Sequence, residues 1–244
     1  PDLSPDPLVT ALICNYNYED YLAEAVDSAL AQTWGNLEVL VVDDGSTDGS
    51  RKILKIYEGR IRTILKENGG QASAFNIGIA EARGEIICFL DSDDLWEPDK
   101  VEQVVKKYRE AAWGLVCHEL MEFDHSTYIP GERPLGNNQK GELRAGDVLQ
   151  YVQNQGYKWI FRPTSAMSVP SHVARKILPI PEAQWRICAD NPLAFGSICH
   201  APVGLIKETL GYYRYHGKNR FASTREAALN CFLSQILEPL KRFF

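Results

Sequence analysis

Apolar runs of strand length alternate with stretches of helical period through the first part of the chain. LVTALIC at 8–14, LEVLVV at 37–42, IRTILK at 61–66 and EIICFL at 85–90 are short, mostly apolar and bounded by polar breaks. That is the pattern of strands buried on both faces. Between them, Leu22, Ala25, Val26, Ala29 and Leu30 recur at helical spacing, RKILKIYE follows DDGSTDGS, and QASAFNIGIAEA follows NGG. Val101, Val104, Val105 and Tyr108 share a face after Pro98, so a fourth helix follows the fourth strand. The alternation predicts an α/β fold with a mostly parallel central sheet flanked by helices. Asn17 is the expected N-cap of the first helix, with Glu19 and Asp20 near its positive end. Pro98 is expected to open the helix that follows the fourth strand.

The regular beat ends near residue 113. WGLVCHEL reads as a further strand, 124–145 is a polar loop carrying Pro and Gly, and the later elements are shorter and mixed. The expected organisation is one domain over 7–220, regular at 7–113 and irregular at 114–220, followed by an amphipathic helical tail at 221–244. In the tail, Phe232, Leu233, Ile236, Leu237 and Leu240 form a stripe beside Lys241 and Arg242. Such a stripe can lie on a membrane surface, meet another subunit or domain, or pack on the protein's own core.

The acids sit where this architecture binds ligands. In a parallel sheet the site lies beyond the carboxyl ends of the strands, where strand order reverses. Asp43 and Asp44 end the second strand, and Asp91, Asp93 and Asp94 end the fourth. With the first strand between them, the two clusters stand roughly 10 Å apart, two strand spacings. That gap fits a nucleotide, with Asn15, Tyr16 and Asn17 at its floor. Three aspartates within four positions repel one another unless a positive charge lies among them, and a D-x-D pair of oxygen ligands suits Mg²⁺ or Mn²⁺. Aspartates after strands also form turns and caps, a reading that suits Asp48 and Asp94.

Composition narrows the classes. The chain has 244 residues, 45% of them hydrophobic, enough for a sizeable core. Its net charge of -6 argues against a nucleic-acid partner. The six cysteines include no C-x-x-C pair and several lie in apolar runs, as reduced core cysteines do. A cytoplasmic location is expected, with membrane association through the tail. No apolar run reaches the roughly eighteen residues of a membrane span. The chain opens PDLSPDP without Met, which suits a piece of a longer protein.

Four segments taken together resemble the family 2 glycosyltransferases of GT-A fold: CNYNYEDYLAEAVDSALAQTW at 14–34, VVDDGSTDGS at 41–50, NGGQASAFNIGIAEARGEIICFLDSDDLWEPDKV at 68–101, and YYRYHGKN at 212–219. The resemblance implies a Rossmann-like nucleotide-diphospho-sugar transferase, with a nucleotide-sugar half at 7–113 and an acceptor half at 114–220. It implies a metal-dependent enzyme that moves a sugar, commonly from a UDP-sugar, to an acceptor hydroxyl with inversion. The setting would be polysaccharide or glycoconjugate synthesis on a glycan or lipid-linked acceptor. By position, Cys14, Tyr16, Asp44 and Ser92 would line the nucleotide, with Asp44 on the uracil and Tyr16 beside the base. Asp93 would hold Mn²⁺ or Mg²⁺, with Asp91 and His216 assisting. Asp190, in WRICADNPLAF, would be the general base, the plainer alternative being the N-cap of a helix that Asn191 and Pro192 begin. The chain departs from the family pattern in three places: Cys14 stands where Pro or Thr is frequent, AFN at 74–76 replaces ARN, and Ala189 replaces an acid.

Three other readings stay open. A haloacid-dehalogenase-like phosphohydrolase also carries D-x-D after a strand, but near the N-terminus and with Thr or Val where this chain has Leu95. DDGSTDGS resembles a calcium loop, yet Ile53 to Lys55 stand where the bidentate Glu belongs. A non-catalytic nucleotide-sugar or glycan-binding module would share the first half. Trp159 and Trp185 can stack on a sugar or fill the core, and His118 and His200, each after a cysteine, read as unrelated to metal.

Overall fold

The computed structural model describes residues 3–139, 143–154, 160–217 and 219. The tail at 221–244, with Cys231, and Trp159 lie outside the described residues. In chain order the elements are β1 (Val9–Asn15), α1 (Leu22–Leu30), β2 (Leu37–Asp44), α2 (Ser50–Ile56), β3 (Arg62–Lys66), α3 (Gln71–Glu81), β4 (Ile86–Asp91), β5 (Leu95–Trp96), α4 (Lys100–Glu110), β6 (Leu115–Asp124), β7 (Gly136–Asn138), α5 (Leu149–Asn154), β8 (Met167–Pro170), α6 (Ser171–Ile177), α7 (Asp190–Ile198) and β9 (Val203–Tyr215). β1, β2 and β4 run one to two residues past the apolar runs, so Asn15, Asp43, Asp44 and Asp91 belong to strand ends.

One sheet passes through both halves in the order β3-β2-β1-β4-β8-β6-β9-β5, with β7 paired to β6. β3, β2, β1 and β4 are parallel, as the alternation predicts. Beyond β4 the sheet is mixed: β8 is antiparallel to β4 and β6, β5 is antiparallel to β9, and β6 and β9 run parallel. The beat fails after residue 113 because these strands are not joined by βαβ crossovers.

The strand period of two sorts the site residues by face. Leu12 on β1, Leu40 and Val42 on β2, and Ile87 and Phe89 on β4 pack in one core with Ala72, Phe75 and Ile79 of α3 and Leu193 and Phe195 of α7. Ala11, Ile13, Val39, Val41, Cys88 and Leu90 pack on the other face with α1, α2 and α4. Continuing the alternation past the apolar residues puts Cys14, Asp44 and Asp91 on the α3–α7 face, and Asn15 and Asp43 on the opposite one. β1 crosses α3 closely at Gly78, where a Cβ would fall 2.5 Å from Leu12.

Two caps differ from expectation. Asn17 does not cap α1: it has a left-handed φ of 59°, a conformation Asn tolerates. Its Oδ1 accepts from Thr47 N at 2.7 Å and its N donates to Ser46 Oγ at 2.9 Å, which ties the β1–α1 loop to the β2–α2 loop. α1 then starts only at Leu22, with Tyr21 as its cap. Pro98 precedes the cap of α4, Asp99, rather than opening the helix.

Trp185 is fully buried in the α3–α7 core, so it packs rather than meeting a sugar. Of the paired histidines, His200 is exposed and His118 is fully buried. Burial, then the nearby Lys100 ammonium, pushes the His118 imidazole down to about 3. In an unfolded chain a histidine titrates near 6.5. Between those values the unfolded chain binds a proton that the folded protein cannot, so the contribution of His118 is complete above about pH 6.5 and is lost as the pH falls. His118→Gln should therefore lose thermal midpoint less steeply than the parent protein between pH 6.5 and 4, and identical slopes in a pH series of melts would remove the assignment.

Candidate active site

Both acid clusters flank the end of β1. Cys14 pairs in register with Asp91 on β4 and with Val42 on β2, two residues short of Asp44. Burial, then the charges of Asp91 and Asp44, push its thiol well up, so it stands between them as a neutral group. On the opposite face, Asp43 is a scaffold residue: its carboxylate accepts from Asn15 Nδ2 at 3.0 Å, Ser46 N at 3.1 Å and Arg51 Nε at 2.8 Å.

Asp44 is 4% exposed and its two oxygens accept four hydrogen bonds. They come from Gly69 N at 2.9 Å, Gly70 N at 2.7 Å, Asn68 Nδ2 at 3.1 Å and Lys66 Nζ. The NGG turn is thereby wrapped around this carboxylate. The next two amides, of Gln71 and Ala72, donate to the carbonyls of Arg186 and Trp185 at 2.9 and 3.2 Å. Gly70 permits that contact, because its φ is +91° and a Cβ would meet Arg186 O at 2.6 Å. Gln71 Oε1 accepts from Ala189 N at 2.8 Å, while Arg186 donates to Gly69 O and to Asn68 Oδ1. Phe75, in the place of the expected arginine, stacks on Phe89 in the core at 5.2 Å. The cations beside the turn are instead Lys66 and Arg186.

The segment held there leads into Asp190, the first residue of α7. Its N-cap is Ala189, so the capping role considered for Asp190 is not the one it takes. Burial pushes its carboxyl up to about 6, against hydrogen bonds from Asn191 and Thr164. Burial pushes Asp91 up as well, with Thr164 opposing it. Asp190 and Asp91 are close enough for the charge of one to raise the other. The expected base and the first acid of D-x-D, 99 positions apart in the sequence, therefore lie within each other's electrostatic reach.

Asp93 is 9% exposed and its Oδ2 lies 2.9 Å from His216 Nε2. Asn219 Nδ2 approaches the same oxygen at 3.5 Å. The His216 ring packs on Tyr21 at 4.5 Å and on Tyr18 at 5.8 Å. These two tyrosines line a cavity of about 410 Å³ with Tyr16, Asn17, Thr47 and Asp48, a volume suited to a small ligand. Ser92, the other expected nucleotide contact, is 2% exposed.

The donor set fits a divalent cation. Asp91 is pushed well above the usual carboxylate range by burial, then by the charges of Asp93 and Asp190, and Asp94 by burial, then by Asp93 and Asp91. A cation would relieve that repulsion, and carboxylate oxygens with one imidazole suit Mn²⁺ or Mg²⁺. Among the described residues no three His, Cys, Asp or Glu side chains enclose an ion unaided. Oxygens of a bound diphosphate would complete the coordination.

Three residues hold positions that the sequence did not assign them. Asp94, assigned there to a turn, is fully buried; its carboxylate accepts from Ser165 Oγ at 2.5 Å and from Arg214 N at 3.0 Å. Arg214, also fully buried, donates Nε to Asp93 O at 2.8 Å and Nη2 to Glu24 Oε2 at 2.6 Å. Its Nη1 lies 3.0 Å from His125 Nδ1, and its guanidinium sits 5.0 Å from the rings of Tyr21, Phe123 and Tyr128. Thr164 is the third. A buried-strand arginine two residues before His216 was the available signal for Arg214.

Two solved structures share this architecture. Residues of this chain covering 98% of its length superpose on 67% of the mannosyltransferase PcManGT from Pyrobaculum calidifontis, in complex with GDP-Man and Mn²⁺, with a TM-score of 0.67 and 19% identity. The corresponding values for S. aureus TarS 1–349 in complex with UDP-GlcNAc are 96% and 69%, a TM-score of 0.66 and 17% identity. The fold is thus that of the GT-A glycosyltransferases. The family model for glycosyl transferase family 2 matches residues 10–162, and the chain belongs to that family. An uncharacterized glycosyltransferase of Nostoc sp. is 34% identical over 223 residues, which are 90% of this chain and 68% of that protein. The putative teichuronic acid biosynthesis glycosyltransferase TuaG of Bacillus subtilis is 40% identical over 124 residues, 48% of this chain and 49% of that protein. Against four Rickettsia glycosyltransferases the chain spans 31% or less of the relative's length.

Truncating Arg214 leaves Glu24 and the Asp94 region without their buried cation. Breaking a buried pair in this way costs about 3 kcal/mol. Arg214→Met should lower the urea midpoint accordingly and weaken Mn²⁺-dependent UDP binding, and a variant with both unchanged would show that the guanidinium does not hold the acidic loop.

Proposed function

We propose that this glycosyltransferase is an inverting, metal-dependent enzyme that moves a sugar from a nucleotide-diphospho-sugar, with UDP-sugars the first class to test, to a hydroxyl of a glycan or lipid-linked acceptor. The observation that carries the reading is the pairing of Asp93 with His216 at 2.9 Å, on the acidic loop that has Asp190 within electrostatic reach of Asp91. One carboxylate then faces the acceptor while the others face the donor diphosphate. The solved neighbours support a sugar-nucleotide donor, since one was captured with UDP-GlcNAc and one with GDP-Man and Mn²⁺. The name of the teichuronic acid relative supports a role in polysaccharide synthesis.

In this reading the nucleotide occupies the gap over Cys14 and the cavity at Tyr16. A base N–H reaches Asp44 by displacing Lys66, the flexible side chain among its four donors. Mn²⁺ or Mg²⁺ held by Asp93, Asp91 and His216 would neutralise charge on the leaving diphosphate. The acceptor oxygen attacks the anomeric carbon from the side opposite the diphosphate; the new C–O bond forms as the bond to the phosphate oxygen breaks, and the nucleotide leaves with that electron pair. The acceptor proton passes to an oxygen of Asp190, ionised above about pH 6, late in an oxocarbenium-like displacement.

A panel of UDP-, GDP- and dTDP-sugars, scored by thermal shift and hydrolysis with and without Mn²⁺, tests donor class and metal need together. No stabilisation or turnover with any donor would overturn the reading, and UDP binding without any transfer or hydrolysis would favour a binding module. Within that panel, Asp93→Ala should abolish Mn²⁺-dependent UDP binding, and unchanged metal-dependent affinity would refute its role. Asp190→Asn should keep donor binding and lose turnover by about 10²-fold or more, and a variant turning over at the parent rate would sink the base assignment.

A further inference from the structure

We propose that Lys66 is a specificity-determining residue for the donor base: it holds the one acceptor position that the Asp44 carboxylate can give up, so the site takes a base that presents a single N–H, as uracil does, and disfavours guanine, which presents two side by side. The proposal rests on the reading that the base of a sugar nucleotide meets Asp44. Asp44 ends β2, Lys66 ends β3, and the two are register partners in that parallel pair. On the carboxylate, Gly69 N at 2.9 Å and Lys66 Nζ share Oδ1, while Gly70 N at 2.7 Å and Asn68 Nδ2 at 3.1 Å share Oδ2. A carboxylate oxygen accepts about two hydrogen bonds, so both oxygens are filled.

Three of these four donors are fixed. The two glycine amides are backbone, and the amides that follow them are bound in turn to Arg186 O and Trp185 O. Asn68 is held from both ends: its Nδ2 also donates to Asp44 O at 2.9 Å, and its Oδ1 accepts from Arg186. Lys66 alone of the four sits on a flexible four-carbon stem. Its Nζ already has a second acceptor in Glu67 O, so it keeps a partner when it leaves Oδ1. The position it gives up accepts one N–H. Uracil carries one, between two carbonyls. Guanine carries a ring N–H beside an amino group, a pair that matches a carboxylate with both oxygens open. Here the amino group would come up against the Gly70 and Asn68 donors that fill Oδ2. A buried donor left without an acceptor costs about 10- to 100-fold in affinity.

Calorimetric titration of UDP and of GDP, each with Mn²⁺, into the parent protein, Lys66→Met and Asn68→Ala tests the proposal. The parent should bind UDP about 10- to 100-fold more tightly than GDP. Lys66→Met removes a charged competitor for Oδ1 and should bind UDP about 10-fold more tightly than the parent, with the preference over GDP kept because Oδ2 stays filled. Tighter binding is a readout that a merely structural role for Lys66 would not produce. Asn68→Ala opens a position on Oδ2 and should narrow the preference for UDP over GDP. A parent that binds GDP as tightly as UDP or more so, a Lys66→Met protein that binds UDP no more tightly than the parent, or an Asn68→Ala protein with the parent's preference would each overturn the proposal. Should Asn68→Ala not fold, Arg186→Met, which releases the Asn68 amide, takes its place under the same criteria. If neither nucleotide binds any of the proteins, the reading of a nucleotide at Asp44 fails and this proposal with it. If both bind the parent equally, that reading stands and only the selection by Lys66 fails.

Discussion

A guanidinium taken fully out of water is costly unless it meets carboxylates, carbonyls and aromatic faces at close range. Arg214 meets all of these at once. It fixes the Asp93 carbonyl, reaches Glu24 on α1, lies among three rings and, through its own amide, holds Asp94. Because β9 carries it, the last strand of the sheet becomes the anchor of a loop that begins at β4. His216 and Asn219 follow on the same stretch and reach the Asp93 carboxylate. The negative loop thus keeps its shape through a permanent buried cation, while the neighbouring carboxylates stay available to a ligand.

The second constraint is parity. Cys14, Asp44 and Asp91 continue the face that packs on α3 and α7, so the donor-side acids project toward the helix that begins at Asp190. The NGG turn completes this arrangement, since it wraps Asp44 with its first amides and binds the Trp185–Arg186 carbonyls with the next two. The Asp44 end and the Asp190 end of the candidate site are therefore two ends of one hydrogen-bonded path. The path includes Gln71, which holds the amide just before Asp190.

Much of this was legible because the first half obeys simple periods. Four apolar runs and their polar breaks located the parallel ladder, and acids at strand ends located the site; the pairing of Asp93 with His216 followed from family position. Arg214 was not legible, because what makes it matter is proximity across 89 or more positions. A lone arginine in YYRY reads as an outward strand residue until β9 is seen to run beside β6 and β5. Asp94 looked like a turn former because its partners, Ser165 and the Arg214 amide, lie in the irregular half. Asn17 misled for a related reason: its cap-like side chain serves a neighbouring loop instead of its own helix.

The amides at the start of α3 are spent within the chain, on Asp44 and on the two carbonyls before Asp190. In many nucleotide-binding folds that end of a helix is where a phosphate first settles. Here that end is occupied by a carboxylate and two carbonyls of the chain itself, so the turn before α3 is spent on joining the end of β2 to the segment that leads into α7.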